Sequence, residues 1–187
     1  MSAFTPLETE RLRIRQFVPD DWQSVHAYTG DAQTMHFVEA HPMTEAQTQQ
    51  FIAENMGDEA KHFAIELRDE RRLLGHLGFH PWFSTHTYEI GWVLHPRYHG
   101  QGYATEAAAE MLRYGFETLR LHRVIATCQP ENPASWRVME KLGMRREGHF
   151  RKGHVLHADT WWDEYFYAML EEDWFGTETG KEIEKHP

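Results

Sequence analysis

The segment from residue 99 to residue 105 contains the clearest candidates for binding chemistry. Gly100 and Gly102 lack a Cβ atom, so the backbone there can turn its N–H groups toward a bound group. The alanine-rich segment that starts near Tyr103 predicts a helix, whose first N–H groups are unpaired and whose N-terminal end carries a partial positive charge. Together these features predict a loop that binds an anion such as a phosphate. A plain turn from a strand into a helix is the alternative that these residues leave open.

The chain also contains 14 histidines and one cysteine, the residue types that commonly form metal sites and nucleophiles. The histidines form neither an HExxH pair nor another closely spaced ligand set, so we expect no metal site. His76 and His80 alternate onto one face of a predicted strand, where they either line a substrate cavity or lie at the surface. Cys128 ends a predicted apolar strand, and we interpret it as a buried, unreactive thiol.

Length and composition predict one domain without a membrane segment. The 187 residues suffice for one substantial core, and we expect a single domain over residues 1–174 and an acidic, mobile tail over residues 175–187. The single cysteine excludes an internal disulfide and suits a reducing compartment, so we expect a cytoplasmic protein. No apolar run approaches the roughly 20 residues of a membrane helix, and we expect no membrane partner. The net charge of −10 disfavours nucleic acid as a partner and favours cationic or amine-bearing molecules.

The hydrophobic pattern predicts the elements that position the loop of residues 99–105, which we call the glycine loop. Strands are predicted over residues 12–17, 62–67, 73–83, 87–94, 123–128, 144–151 and 161–170. Helices are predicted after residue 19, from residue 45 to about 56, from about residue 103, and from Asn132 to Gly143. Gly91 interrupts the strand before the loop, which indicates a bulge or the close approach of a backbone or a ligand. This order of elements is typical of an α+β protein built on a mostly antiparallel sheet.

Four segments, taken in order, resemble a known family. Residues 88–94, 99–107, 132–135 and 140–144, preceded by the segment 7–12, are similar to the motifs of the GNAT superfamily of acyl-CoA-dependent N-acyltransferases. Within that superfamily they most resemble the branch that contains the RimJ/RimL ribosomal-protein N-terminal acetyltransferases. The resemblance implies a GNAT-like fold with a mixed, mostly antiparallel seven-stranded sheet and helices on both faces. It also implies acetyl-CoA as co-substrate, an amine acceptor, and a monomer or homodimer.

The resemblance assigns the acetyl-CoA site to two backbone segments and one side chain. The glycine motif of the family binds the CoA pyrophosphate through backbone amides, and His99 stands here where the family usually has Gln or Arg. Edge amides of the preceding strand bind the pantetheine arm, and the Val93 N–H is the expected donor to the thioester oxygen. Asn132 caps a helix, contacts CoA, or does both. The full predicted set is Trp92, Val93, Leu94, His99, Gly100, Gln101, Gly102, Tyr103, Ala104, Thr105 and Asn132.

Transfer of an acetyl group from a thioester to an amine needs a neutral amine, a polarised carbonyl and a proton for the departing thiolate. Glu89 is the candidate base because it shares a strand face with Gly91 and Val93, and a cross-strand ion pair is its alternative role. Ser135 matches the serine that the ribosomal branch associates with proton donation to the thiolate, and a local hydrogen bond at a helix start is its alternative role. Met139 stands where many superfamily members have a tyrosine, and methionine cannot donate a proton.

The predicted function is that of an acetyl-CoA-dependent N-acetyltransferase that acts by direct attack of the amine in a ternary complex. The acceptor is a protein N-terminal α-amine or a small amine such as an amino acid, a polyamine or an antibiotic, because a fold does not fix its substrate. A CoA-binding module without turnover is the third alternative, since Met139 and His99 depart from the family pattern.

Overall fold

The computed structural model describes residues 4–38, 42–157 and 160–176, which form eight β-strands and five α-helices. The strands are β1 (Leu7–Glu8), β2 (Leu12–Arg15), β3 (His62–Leu67), β4 (Arg72–Pro81), β5 (Thr87–Leu94), β6 (Arg123–Cys128), β7 (Arg145–His157) and β8 (Thr160–Leu170). The helices are α1 (Trp22–Thr29), α2 (Glu45–Glu54), α3 (Tyr103–Arg113), α4 (Pro133–Lys141) and α5 (Glu171–Gly176). Of the predicted tail, residues 177–187 lie outside the described residues, whereas residues 175 and 176 belong to α5.

The α+β class and the mixed, mostly antiparallel sheet are confirmed, but the described sheet has eight strands rather than the predicted seven. The additional strand is β1, which pairs antiparallel with β2 through Leu7 opposite Ile14 and Glu8 opposite Arg13. A strand of two residues is too short to show an alternating pattern, and for this reason the sequence did not reveal it.

The chain forms two compact units, and β5 contributes to both of them. Unit 1 comprises Met1–His80 and Gly91–Glu110, and unit 2 comprises Pro81–Ile90 and Met111–Pro187. In unit 1, strands β1 to β4 follow one another as antiparallel neighbours. In unit 2, the first half of β5 pairs in parallel with β6, and β8 pairs antiparallel with both β6 and β7. The predicted single domain over residues 1–174 stays a prediction.

The core of unit 1 gathers apolar side chains from α1, α2 and strands β3 and β4. Its buried members are Phe17, Val25, Tyr28, Ile52, Ala64 and Leu73, and Trp22, Phe51 and Val93 pack against them. Helix α2 begins with a capping box, in which the Thr44 hydroxyl accepts from the Gln47 N–H and the Gln47 side chain accepts from the Thr44 N–H. Local chemistry therefore fixes the start of α2, and the apolar face fixes its packing.

Gly75, not Gly91, is the glycine over which a backbone passes closely. A Cβ atom at Gly75 would lie 2.2 Å from the Val93 carbonyl oxygen, whereas one at Gly91 would meet no described atom within 4 Å. A bulge in β4 lies at the same place: Gly75 pairs with Ile65 and the next pair joins Leu73 to Glu66, which leaves Leu74 unopposed. The end of β5 thus passes over the bare glycine beside the bulge.

His76 is a core residue, so the prediction that it lies at the surface was wrong, while the alternative that it lines a substrate cavity stays a prediction. The residue is 6% exposed, and its Nδ1 lies 2.8 Å from the Tyr28 hydroxyl. A surface position fails because every residue from Leu73 to Phe79 is buried, so both faces of β4 are covered. Burial lowers the pKa of His76 to about 3, with a further contribution from His62, and burial likewise lowers the pKa of His62 to about 4.

The lowered pKa values of the buried His76 and the half-buried His62 predict acid sensitivity. Between pH 6.5 and about 4 the unfolded chain protonates both side chains and the folded chain does not, so the free energy of unfolding decreases as the pH falls. Each group contributes at most about 1.4 kcal/mol per pH unit in this range. In urea unfolding at a series of pH values, His76→Asn should reduce the slope of the free energy of unfolding against pH by about one such contribution relative to the wild type. An unaltered slope in His76→Asn would exclude His76 as a source of the acid sensitivity.

Unit 2 packs its strands around a second set of buried apolar residues. Fully buried members include Phe116, Val124, Ile125, Ala126 and Tyr167. The parallel ladder between β5 and β6 joins Thr87, Tyr88 and Glu89 to Arg123, Val124 and Ile125 and ends there, while β6 continues to Cys128 beside β8. Among the described residues, no helix is long and apolar enough to cross a membrane.

Candidate active site

The glycine loop lies in unit 1, between the end of β5 and α3, as the sequence predicts. Gly100 has a φ of 73° and Gly102 a φ of 83°, which lie in the left-handed region that glycine adopts without strain. A Cβ at Gly100 would meet no described atom within 4 Å, and one at Gly102 would approach Arg11 Nη2 at 3.4 Å. Both positions therefore have a backbone conformation that a residue with a side chain rarely adopts.

Helix α3 supplies unpaired backbone donors directly after the loop. The first hydrogen bond of the helix runs from the Glu106 N–H to the Gly102 carbonyl oxygen at 3.0 Å. The N–H groups of Tyr103, Ala104 and Thr105 precede this bond, so they are the donors that a helix N-terminus leaves without an intrahelical acceptor. Their direction and the helix dipole both favour an anion.

Side chains on the loop fasten it to the preceding turn and to β5. His99 Nε2 lies 2.9 Å from the Leu94 carbonyl oxygen, and the Gln101 side-chain amide donates to the Arg97 carbonyl oxygen at 3.0 Å. The ring of His99 thus links the loop to the last residue of β5. The change from the family's usual Gln or Arg at this position leaves the loop anchored.

Sequence reasoning missed a second anchor of the loop, which comes from Arg11. Its guanidinium donates to the Gln101 carbonyl oxygen at 3.1 Å and to Glu106 Oε2 at 2.6 Å, and it lies 4.5 Å from the centre of the Tyr103 ring. The Arg11–Glu106 pair spans 95 residues of sequence, so no local pattern indicates it. The segment 7–12 entered the resemblance as a motif, and that was the available signal.

The end of β5 stands directly before the loop in the same unit. Trp92 and Val93 are half-buried and Leu94 is buried. The Val93 side chain packs against the core of unit 1, and the His95 N–H donates to the Leu74 carbonyl oxygen at 2.8 Å. The backbone of this segment is therefore fixed by contacts on β4, beside the bulge.

The remaining predicted residues lie in unit 2. Glu89 is half-buried and is the last β5 residue in the ladder with β6, where it pairs with Ile125. Asn132 caps α4, since its Oδ1 accepts from the Ser135 N–H at 3.2 Å. The Ser135 hydroxyl makes no hydrogen bond within residues 4–38, 42–157 and 160–176. The predicted residues of unit 1 thus come from one stretch of the chain, residues 92–105. The predicted residues of unit 2 are Glu89, Asn132 and Ser135.

Cys128 and Met139, which the sequence analysis excludes from catalysis, are buried in unit 2. Burial, with the nearby Glu164, raises the pKa of the Cys128 thiol to about 12, which keeps it protonated at neutral pH. Met139 is 1% exposed and packs in the core. Among the described residues, no group of three or more His, Cys, Asp or Glu side chains is arranged to hold a metal ion.

Comparison with known proteins shows the family to which this chain belongs. Residues 11–145 match the family model of the acetyltransferase (GNAT) domain. The chain belongs to the GNAT family. It is 51% identical over 168 residues to an uncharacterized N-acetyltransferase of Bacillus subtilis, YnaD, with 90% of this chain and 98% of YnaD covered. The crystal structure of a GNAT-family acetyltransferase from Bacillus anthracis matches with 52% identity and a TM-score of 0.86, and covers 90% of this chain and 99% of that one.

A more distant relative is named for the protein on which it acts. The [ribosomal protein uS5]-alanine N-acetyltransferase of Escherichia coli is 28% identical over 117 residues, which are 62% of this chain and 60% of that protein. Together these relatives confirm the predicted GNAT fold and the predicted enzyme class, an acyltransferase of the N-acetyltransferase type.

Proposed function

We propose that this GNAT enzyme binds acetyl-CoA on unit 1 and transfers the acetyl group to a primary amine by direct attack in a ternary complex. The observation that carries the proposal is the glycine loop, in which two left-handed glycines lead into the unpaired amides of Tyr103, Ala104 and Thr105. A pyrophosphate fits this donor set, because it presents several oxygens to several N–H groups. The amides of Trp92, Val93 and Leu94 then receive the pantetheine arm, as the resemblance implies.

The reaction replaces the carbon–sulfur bond with a carbon–nitrogen bond, and the amine gives up one proton while the departing sulfur gains one. The amine nitrogen attacks the thioester carbonyl carbon, the carbon–sulfur bond breaks, and the products are an amide and CoA thiol. In this proposal Glu89 accepts the proton that the amine loses, directly or through water. The Val93 N–H donates to the oxyanion of the tetrahedral intermediate, an interaction typically worth a few kcal/mol when water is excluded.

Ser135 has the role of proton donor to the departing thiolate. Ser135 is half-buried, and the Asn132 cap uses its backbone N–H and not its hydroxyl. Ser135→Ala should lower kcat about 10-fold with little change in KM for acetyl-CoA, because the serine acts on the leaving group and not on the bound cofactor. Steady-state kinetics test this, with Ser24→Ala on the exposed face of α1 as control. Equal kcat in Ser135→Ala and the wild type would leave Ser135 with a local structural role only.

The acceptor that we propose is a peptide α-amine. This rests on the resemblance to the RimJ/RimL branch and on the similarity to the Escherichia coli enzyme that acts on an alanine of ribosomal protein uS5. A small amine is the second candidate, and the net charge of −10 favours it by attracting cations. We further propose a cytoplasmic location, which the single buried cysteine supports, and a monomeric or homodimeric state.

Thiol release from acetyl-CoA separates the two acceptor classes. Purified protein is incubated with a pool of peptides that have free N-termini and, in parallel, with a pool of small primary amines. Release with peptides alone supports the proposed acceptor, and release with small amines alone replaces it with the second candidate. Release with neither pool contradicts both.

A further inference from the structure

Arg11 connects the turn between β1 and β2 to three parts of the glycine loop region, all within unit 1. It donates from Nη1 to the Gln101 carbonyl oxygen at 3.1 Å and from Nε to Glu106 Oε2 at 2.6 Å. The guanidinium carbon lies 4.5 Å from the centre of the Tyr103 ring, within the range of a cation–π contact. One side chain therefore contacts a residue of the loop, the first residue of α3 and its fourth residue.

The bond to Gln101 determines the direction of the next amide. In a trans peptide the carbonyl and the following N–H point in opposite directions. Because the Gln101 oxygen points to Arg11, the Gly102 N–H points away from Arg11. Glycine at 102 would also tolerate the opposite orientation, in which a carbonyl oxygen would replace the N–H donor. Arg11 opposes that rotation by holding the oxygen.

A second set of hydrogen bonds holds Arg11 in place. Glu106 Oε1 accepts from the Thr9 hydroxyl at 2.5 Å and from the Arg11 backbone N–H at 3.0 Å, while Oε2 pairs with the guanidinium. Burial by itself would raise the pKa of Glu106, but the hydrogen bonds from Thr9 and Arg11 and the charge of Arg11 lower it. The ionised Glu106 carboxylate thus accepts from four donors, the Thr9 hydroxyl, the Arg11 backbone N–H, Arg11 Nε and Arg11 Nη2. These bonds fix the orientation of the Arg11 guanidinium.

We propose that Arg11, anchored by Glu106, is a positioning residue that keeps the Gln101–Gly102 peptide oriented for binding the pyrophosphate of CoA. This inference rests on the proposed function, which assigns the pyrophosphate to the loop. The side chain of Arg11 is 42% exposed and that of Glu106 20% exposed, so the ion pair contributes little to the free energy of unfolding. Its effect is local, on the loop.

The test compares two acetyl donors in matched variants. S-acetylpantetheine has the same thioester and arm as acetyl-CoA but no pyrophosphate, so it does not use the loop. Arg11→Met removes the side-chain contacts with Gln101, Tyr103 and Glu106 and keeps the backbone N–H bond to Glu106 Oε1. Arg13→Met is the control, because Arg13 lies on β2, is also 42% exposed and carries the same charge. The readouts are kcat/KM for each donor and the midpoint of thermal unfolding.

Arg11→Met should lower kcat/KM for acetyl-CoA about 10-fold and leave kcat/KM for S-acetylpantetheine unchanged, since a charge-assisted bond to the loop is lost. Arg13→Met should change neither value. Arg11→Lys keeps the charge but lacks the planar set of guanidinium donors, so it should lower kcat/KM for acetyl-CoA less than Arg11→Met does. If Arg11→Met does not fold, Arg11→Lys takes its place in the test.

Two outcomes overturn the inference alone. Equal losses with both donors would make Arg11 a general structural residue, and equal behaviour of Arg11→Met and Arg13→Met would show that the contacts do not matter for the loop. A wild-type enzyme that uses acetyl-CoA no better than S-acetylpantetheine is a different result. It would overturn the assignment of the pyrophosphate to the loop, and this inference with it.

Discussion

Gly102→Val should raise the dissociation constant for CoA at least about 100-fold, which corresponds to about 2.7 kcal/mol. Backbone strain is the cause in this variant. A β-branched residue at a φ of 83° is strained, so the loop leaves its binding conformation. The new Cβ would lie 3.4 Å from Arg11 Nη2, an ordinary contact, so the loss comes from the conformation of the loop and not from a clash. Calorimetric titration with CoA measures the loss.

Gly57→Val is the matched control for backbone strain. Gly57 has a φ of 98°, and a Cβ there meets no described atom within 4 Å, so valine brings strain without a clash. Gly57 follows α2 and has no part in the proposed site. This variant should lose stability to a similar extent and bind CoA with unchanged affinity. If Gly102→Val bound CoA as tightly as Gly57→Val, the loop would not be the pyrophosphate site.

Glu89→Gln should lower kcat about 100-fold near neutral pH and leave the affinity for acetyl-CoA unchanged, because general-base catalysis is typically worth this much or more. Glutamine keeps the size of the side chain and removes its capacity to accept a proton at neutral pH. The loss should shrink as the pH approaches the pKa of the acceptor amine, since the amine then loses its proton without help. The measurement is the rate of thiol release, assayed at a series of pH values from neutral pH to the pKa of the acceptor amine.

The control for this variant is Glu171→Gln. Glu171 is also half-buried and lies in unit 2, at the first residue of α5. Its substitution changes the net charge equally and should leave the pH profile of kcat unaltered. Turnover of Glu89→Gln at the wild-type rate at every pH would remove Glu89 from the mechanism and leave it with a cross-strand role.

Local chemistry made part of this molecule predictable. The capping box at Thr44, the cap at Asn132 and the left-handed glycines at 100 and 102 each depend on residues within a few positions of one another. These local preferences agree with the folded structure, so the elements that they predict are the ones that form. The start of α2, the start of α4 and the shape of the loop were therefore accessible from the sequence.

Features that depend on distant parts of the chain were not accessible. The Arg11–Glu106 pair joins residues 95 positions apart, and either residue alone is typical of a solvated surface. The close approach of β5 falls on Gly75, beside a bulge in β4, and the alternating pattern encodes neither feature. The burial of His76 was not accessible either, because a strand that is buried on both faces has no polar side that a pattern could reveal.

The central claim is that the amides of the glycine loop bind the pyrophosphate of CoA. The most direct measurement is the change in backbone amide chemical shifts when CoA is added to 15N-labelled protein. The largest changes should fall on Gly102, Tyr103, Ala104 and Thr105, and pantetheine, which lacks the pyrophosphate, should not reproduce them. CoA that binds without moving these four amides, or pantetheine that moves them equally, would contradict the claim.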